Sequence, residues 1–124
     1  MKGLLRIIFP VPVFLFYLSG WSLGQTPIPK TPELLNQGKA LYVKYCANCH
    51  GIKGDGEGKL GTTLKPPATD FIKPFNQWKF SRGDIKKVFQ AITNGVPNTA
   101  MPKFRLSEEQ GWALTYAVIE FASK

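Results

Sequence analysis

Cys46, Cys49 and His50 form the pattern C-x-x-C-H, and together they use both cysteines and the only histidine of the 124-residue chain. No other feature constrains the fold as much. Two thiols three positions apart can add across the two vinyl groups of a haem, forming thioethers. The histidine directly after the second thiol is then carried under the iron, where imidazole coordinates the metal, and C-x-x-C-H is read as c-type haem attachment. Other uses of the same residues fare worse. A disulfide across two intervening residues closes a tiny loop and stabilises little. A redox-active pair calls for a thioredoxin-like βαβ setting, and no strand-helix alternation surrounds this one. A zinc site would have three ligands at most, too few for a closed structural site.

Residues 1–24 read as an export leader. Lys2 and Arg6 start it, Ile7 to Leu18 is almost wholly apolar, and Ser22, Leu23 and Gly24 offer small residues at the expected cleavage positions. The alternative is a retained membrane anchor, although Pro10, Pro12, Ser19 and Gly20 interrupt the stretch, which falls short of about 20 clean apolar residues. Either reading exports the rest of the chain, to the periplasm of a bacterium, with membrane contact only if the leader stays. Residues 25–30, with Pro27 and Pro29, read as a linker, and residues 31–124 as one domain. A domain this small builds a modest core, which a covalently held porphyrin would enlarge. The formal charge is +8; without Lys2 and Arg6, 14 basic residues face 8 acidic ones, leaving +6. The lysines are scattered, as on a solvated face; the sharper reading is steering toward an acidic redox partner. Nucleic acid is excluded, because no recognised binding motif accompanies the charge on an exported chain.

Local signals predict helices and loops, with no strand pattern of useful length. Thr31-Pro32-Glu33 is a helix start with a cap, a first-turn proline and a dipole-matched acid. The helix it opens delivers the motif at its C-terminal end. Gly51, Gly54, Gly56, Gly58 and Gly61 make the following stretch a loop, which Pro66 and Pro67 continue as extended chain. Ser81-x-x-Asp84 reads as a capping signature opening a helix with Ile85, Val88, Phe89 and Ile92 on its apolar stripe. Asn94-Gly95 ends it. Ser107-x-x-Gln110 is a capping box for the last helix, with Trp112, Tyr116 and Ile119 on one face. The expected fold is all-α: about three main helices and long loops wrapped around one haem.

With the leader gone, Met101 is the only methionine. It lies in a loop between two predicted helices, flanked by Ala100 and Pro102, whereas a core methionine more often sits on an apolar helical face. Thioether sulfur opposite imidazole is the ligand pair of cytochromes c, which makes His50 and Met101 the candidate axial ligands.

Residues 34–121 resemble a small monohaem class I cytochrome c of the bacterial type. Gly38 and Tyr42 match that family's glycine and aromatic where the first helix crosses the last. The Gly51–Gly58 loop, the stretch Gly95-Val96-Pro97-Asn98-Thr99-Ala100-Met101-Pro102, and Leu106 to Leu114 are also similar, with Asn98 where glycine is common. The chain departs at the last helix, where Ala117 holds the family's usual tyrosine position and Tyr116 stands one place earlier. The resemblance implies that the Pro67 carbonyl, or that of Pro66, accepts from His50 Nδ1–H, and that Trp78 and Arg82 hydrogen-bond haem propionates. It implies an electron carrier, not an enzyme: a monomer that meets redox proteins transiently through acidic docking surfaces on their side. Two alternatives stay open: a fixed cytochrome subunit of a dehydrogenase or respiratory complex, and a haem enzyme or gas sensor with a labile Met101.

Overall fold

Thr31 starts the first helix as its side chain predicts: Oγ1 accepts from the Leu34 amide at 3.1 Å, and α1 runs Pro32–Tyr45 with Glu33 in its first turn and Lys44 in its last. The computed structural model describes residues 25–123. The leader read at residues 1–24 lies outside the described residues. After Cys46 comes a single turn, α2 (Ala47–His50), which Gly51 ends at φ 82°, a conformation suited to glycine. Residues 51–84 are irregular apart from 3-10 turns at Gly61–Thr63 and Phe75–Gln77. Then come α3 (Ile85–Asn94), the loop to Ser107, and α4 (Glu108–Glu120), closed by a 3-10 turn at Phe121–Ser123. No strand occurs among the described residues, so the all-α expectation holds.

Both later helices are capped, one of them not as expected. Ser107 and Gln110 form the reciprocal box at 3.1 and 3.0 Å. For α3 the cap is Asp84, whose Oδ1 accepts from Lys86 N at 2.8 Å. Ser81 lies one turn earlier, where its carbonyl accepts from the Asp84 amide and its buried hydroxyl has no protein partner. The carboxylate one residue from the first helical position outcompetes the serine three residues further back.

The main helix contact is the crossing of α1 over α4. Gly38 makes it possible: a Cβ there would overlap the Ala113 carbonyl oxygen and lie 3.1 Å from the Ala117 Cβ. Ala117 is therefore the small residue on which Gly38 rests, and the aromatic that meets Tyr42 is Phe121, with ring centroids 5.0 Å apart. Tyr116 turns the other way and donates its hydroxyl proton to the Ile28 carbonyl. The segment read as a linker is thus tied onto α4, with Pro27 and Ile28 half-buried.

On the α3 side, Gly111 lets Phe89 close in and Trp112 stacks on Phe89 at 4.3 Å. The start of α4 is consequently buried all round, Gly111 through Thr115, rather than on one stripe. The core joins Tyr42, Cys46, Trp78, Val88, Ile92, Leu114 and Val118. Fully burying side chains of this size is worth about 1.5–3 kcal/mol each. The C-terminal end of α1 is fixed by that packing, and the motif follows directly.

Candidate haem site

Helix α1 ends in the motif, and backbone hydrogen bonds hold the three candidate side chains in one turn. Cys46 is the C-cap, donating to Tyr42 O at 2.8 Å; its own carbonyl accepts from Cys49 at 3.2 Å and His50 at 2.9 Å. Cys46 is buried, Cys49 and His50 half-buried, and both thiols are free. Burial first, and then the neighbouring Cys49, push the Cys46 thiol up to about 12. A reactive thiol needs the opposite shift, so Cys46 is not an activated nucleophile in this setting.

His50 donates Nδ1–H to the Thr69 carbonyl at 3.1 Å. A carbonyl only accepts, so Nδ1 carries the proton and Nε2 keeps its lone pair. Burial lowers the pKa of the ring below its usual 6.5, against an opposing pull from the Thr69 bond, so the imidazole is neutral at neutral pH. Phe71 stacks on its face at 4.4 Å. A neutral imidazole with its outer nitrogen fixed to a carbonyl is how metal-ligating histidines are oriented.

The acceptor is Thr69 and not Pro67, which is exposed, nor Pro66. Backbone pairing with the glycine loop sets this register. Ala68 donates to Gly61 O at 3.2 Å and Phe71 to Gly54 O at 2.7 Å, which draws Thr69 alongside His50, two residues beyond the double proline. The glycine loop makes room: a Cβ on Gly56 would lie 2.8 Å from the Ala68 carbonyl oxygen. A second brace comes from Tyr42, whose buried hydroxyl donates to Gly51 O at 2.6 Å. Burial, then the charges of Cys46 and Asp55, hold this phenol well above its usual pKa, so it remains a donor.

Met101 is half-buried in the loop between α3 and α4. Just past it, Phe104 donates to Ile92 O at 3.2 Å and sets its ring 5.7 Å from that of Tyr45, the residue before Cys46. The methionine loop is therefore fastened beside the motif end of α1.

Trp78 does not serve as a free donor. Its Nε1–H donates to Lys73 O at 2.8 Å, and the ring is buried against Phe71 and Phe75 at 4.8 and 4.9 Å. Through Phe71 it backs the His50 ring, which makes it a packing residue behind the motif; the propionate role expected for it does not fit that bond. Arg82 is exposed, in a turn at φ 47°. Sequence reasoning missed Thr69, because a backbone acceptor depends on loop register and leaves no side-chain signal. It also missed the Tyr42 hydroxyl, since Tyr42 was read only for its ring.

The profile of the family described as cytochrome C oxidase, cbb3-type, subunit III matches residues 33–116. The chain belongs to this family. Curated relatives are the cbb3-type cytochrome c oxidase subunits FixP of Azorhizobium caulinodans, 36% identical over 78 residues, and of Sinorhizobium medicae, 28% identical over 87. These alignments cover 63% and 68% of this chain but only 22% and 27% of the relatives, so the chain spans about a quarter of their length. Among solved structures, the reducing HAO-like protein complex of Kuenenia stuttgartiensis matches with a TM-score of 0.68 and 27% identity, over 77% of this chain and 47% of that one. The family is one of cytochrome c domains, which bind haem and carry electrons, and the all-α helix arrangement is a cytochrome c fold.

The residues present fit a haem. His50 keeps a lone pair on Nε2, and the Cys46 and Cys49 thiols are unpaired within one helical turn. A single thioether, Met101, stands on a loop fastened to the same end of α1. Imidazole and thioether are a recognised axial pair for haem iron.

Proposed function

We propose that this chain is a monohaem c-type cytochrome domain that carries single electrons, with Cys46 and Cys49 as thioether attachments and His50 and Met101 as axial ligands. The observation that carries the reading is the fixed tautomer of His50, whose Nδ1–H is committed to Thr69 O while Nε2 remains available. Haem iron, when bound, supplies exchange between ferrous and ferric states. Each side chain has a separate task. Cys46 and Cys49 hold the group covalently; Thr69 and Phe71 fix the imidazole plane; Met101 fills the opposite position and so denies it to small ligands. Burial around the group and a methionine ligand both raise the reduction potential.

In this reading residues 1–24 are an export leader or anchor, residues 31–124 the cytochrome domain, and the compartment is the periplasm. The domain is a monomeric electron-transfer protein and not an enzyme. Lys53, Lys59, Lys65 and Lys103, all exposed, suit a transient encounter with an acidic redox protein. Arg82, exposed before α3, is the remaining candidate to meet a propionate.

A second reading, a fixed subunit of a respiratory complex, is favoured by one surface feature. Val43, Ile52 and Ile72 are 59%, 63% and 50% exposed around Phe121, along two adjoining grooves between the C-terminal ends of α1 and α4 and the glycine loop. The relatives' names, as oxidase subunits, support the same reading.

The test of the ligand set is Met101→Ala in the haem-loaded mature protein. The low-spin spectrum should become high-spin or water-ligated, and the sulfur-to-iron near-infrared band of the ferric form should vanish. An unchanged spectrum removes Met101 from the ligand set.

A further inference from the structure

The loop that carries Met101 is almost bare of packing. Pro97, Asn98, Ala100, Pro102 and Lys103 are all exposed, so apolar burial cannot be what holds its shape. Hydrogen bonds do that instead, and they converge on one side chain. Thr99 Oγ1–H donates to the Val96 carbonyl at 2.7 Å, and the same oxygen accepts the Met101 amide at 3.1 Å. Val96 in turn donates its amide to the Met101 carbonyl at 3.3 Å. Val96, Thr99 and Met101 therefore close a ring of three bonds around the turn.

The local sequence is built for that ring. Pro97 fixes φ at the second position of the turn, and Asn98 at φ 60° takes the left-handed position that follows. Gly95 allows the close approach at the neck: a Cβ on it would lie 3.0 Å from both the Met101 carbonyl oxygen and the Lys103 amide.

We infer that Thr99 is a positioning residue that presets Met101 for ligation, so that its hydroxyl decides how firmly the methionine holds its place against competing ligands. The inference rests on the reading of Met101 as an axial ligand. An exposed loop without the ring would have to be ordered each time the thioether returned, and that ordering entropy counts against ligation. With the ring intact, the cost is met in folding. Thr99→Val keeps the shape of the side chain but leaves the Val96 carbonyl and the Met101 amide without their partner. One neutral hydrogen bond is worth up to about ten-fold in such an equilibrium.

The test titrates the ferric, haem-loaded mature protein with imidazole and follows loss of the sulfur-to-iron near-infrared band. Thr99→Val and Thr99→Ala should both bind imidazole about five- to ten-fold more tightly than wild type, within the range one hydrogen bond allows. Thr99→Ser should match wild type, because it restores the hydroxyl. Urea unfolding midpoints should be closely similar among all four proteins, which separates presetting of Met101 from general stabilisation. Equal imidazole affinities, with the band present in wild type, overturn the role of Thr99 and leave Met101 as a ligand. A wild-type protein that lacks the band overturns both.

Discussion

Gly38→Ala places one methyl group at the crossing of α1 and α4. On an open helical face this change stabilises by about 1 kcal/mol, since alanine is the better helix former. At Gly38 the new Cβ would overlap the Ala113 carbonyl oxygen and press on the Ala117 Cβ from 3.1 Å. The first partner is backbone and the second a methyl stub, so neither can rotate away and the helices must part. Overpacking costs about 1–3 kcal/mol, and a clash with backbone belongs at the upper end. Set against the propensity gain, a net loss of about 2 kcal/mol remains. For a domain of this size that is a drop in melting temperature of roughly 8–16 °C. The assay is urea and thermal unfolding of the haem-loaded mature protein by far-ultraviolet circular dichroism, with the urea slope compared to establish that the same surface is exposed. Ala117→Gly added to Gly38→Ala should rescue little, because the Ala113 carbonyl still blocks. A variant as stable as wild type, or more so, would refute the close crossing and with it the packing that holds the motif end of α1.

Two further predictions concern groups that only the folded chain brings together. Tyr42→Phe keeps the ring against Phe121 but removes the hydroxyl that braces Gly51. Because the folded-state pKa of Tyr42 is raised above the usual 10.0, its contribution is full below that value and is lost as pH rises beyond it. Wild type should therefore lose stability above about pH 10 more steeply than Tyr42→Phe does, read from urea midpoints across that range. Tyr116→Phe releases the bond to the Ile28 carbonyl. It should speed amide exchange in residues 25–30 by up to about ten-fold, one hydrogen bond's worth, while leaving the haem spectrum unchanged. Unaltered exchange would mean that the strap is held by something other than Tyr116.

What could be read from sequence was whatever a few neighbouring residues decide among themselves. Thr31 with Pro32, and Ser107 with Gln110, announce helix starts through caps that operate within four residues, and both stand as read. The haem motif and the lone methionine loop were legible for the same reason, since chemistry at fixed spacing needs no knowledge of the rest of the chain. Contacts between distant segments were not. Thr69 takes the role assigned to Pro67 because two backbone bonds to Gly54 and Gly61 set the register, and nothing in a double proline encodes that offset. Ala117, which looked like a departure, is the surface on which Gly38 rests. Asp84 displaced Ser81 as a cap through a competition between two plausible residues three apart. The segment around Pro27 had the composition of a linker, yet one hydroxyl 88 positions along the chain from Ile28 ties it down.

The central claim is that a porphyrin is bonded to this polypeptide through Cys46 and Cys49. Its most direct test is acid-acetone extraction of the purified mature protein, made in cells that carry haem-attachment machinery, beside Cys46→Ala with Cys49→Ala. The account predicts that the wild-type polypeptide stays red in the pellet and that the double variant gives up its colour to the solvent. Haem that leaves both proteins alike, or a well-folded wild type that is colourless with two titratable thiols, would contradict it.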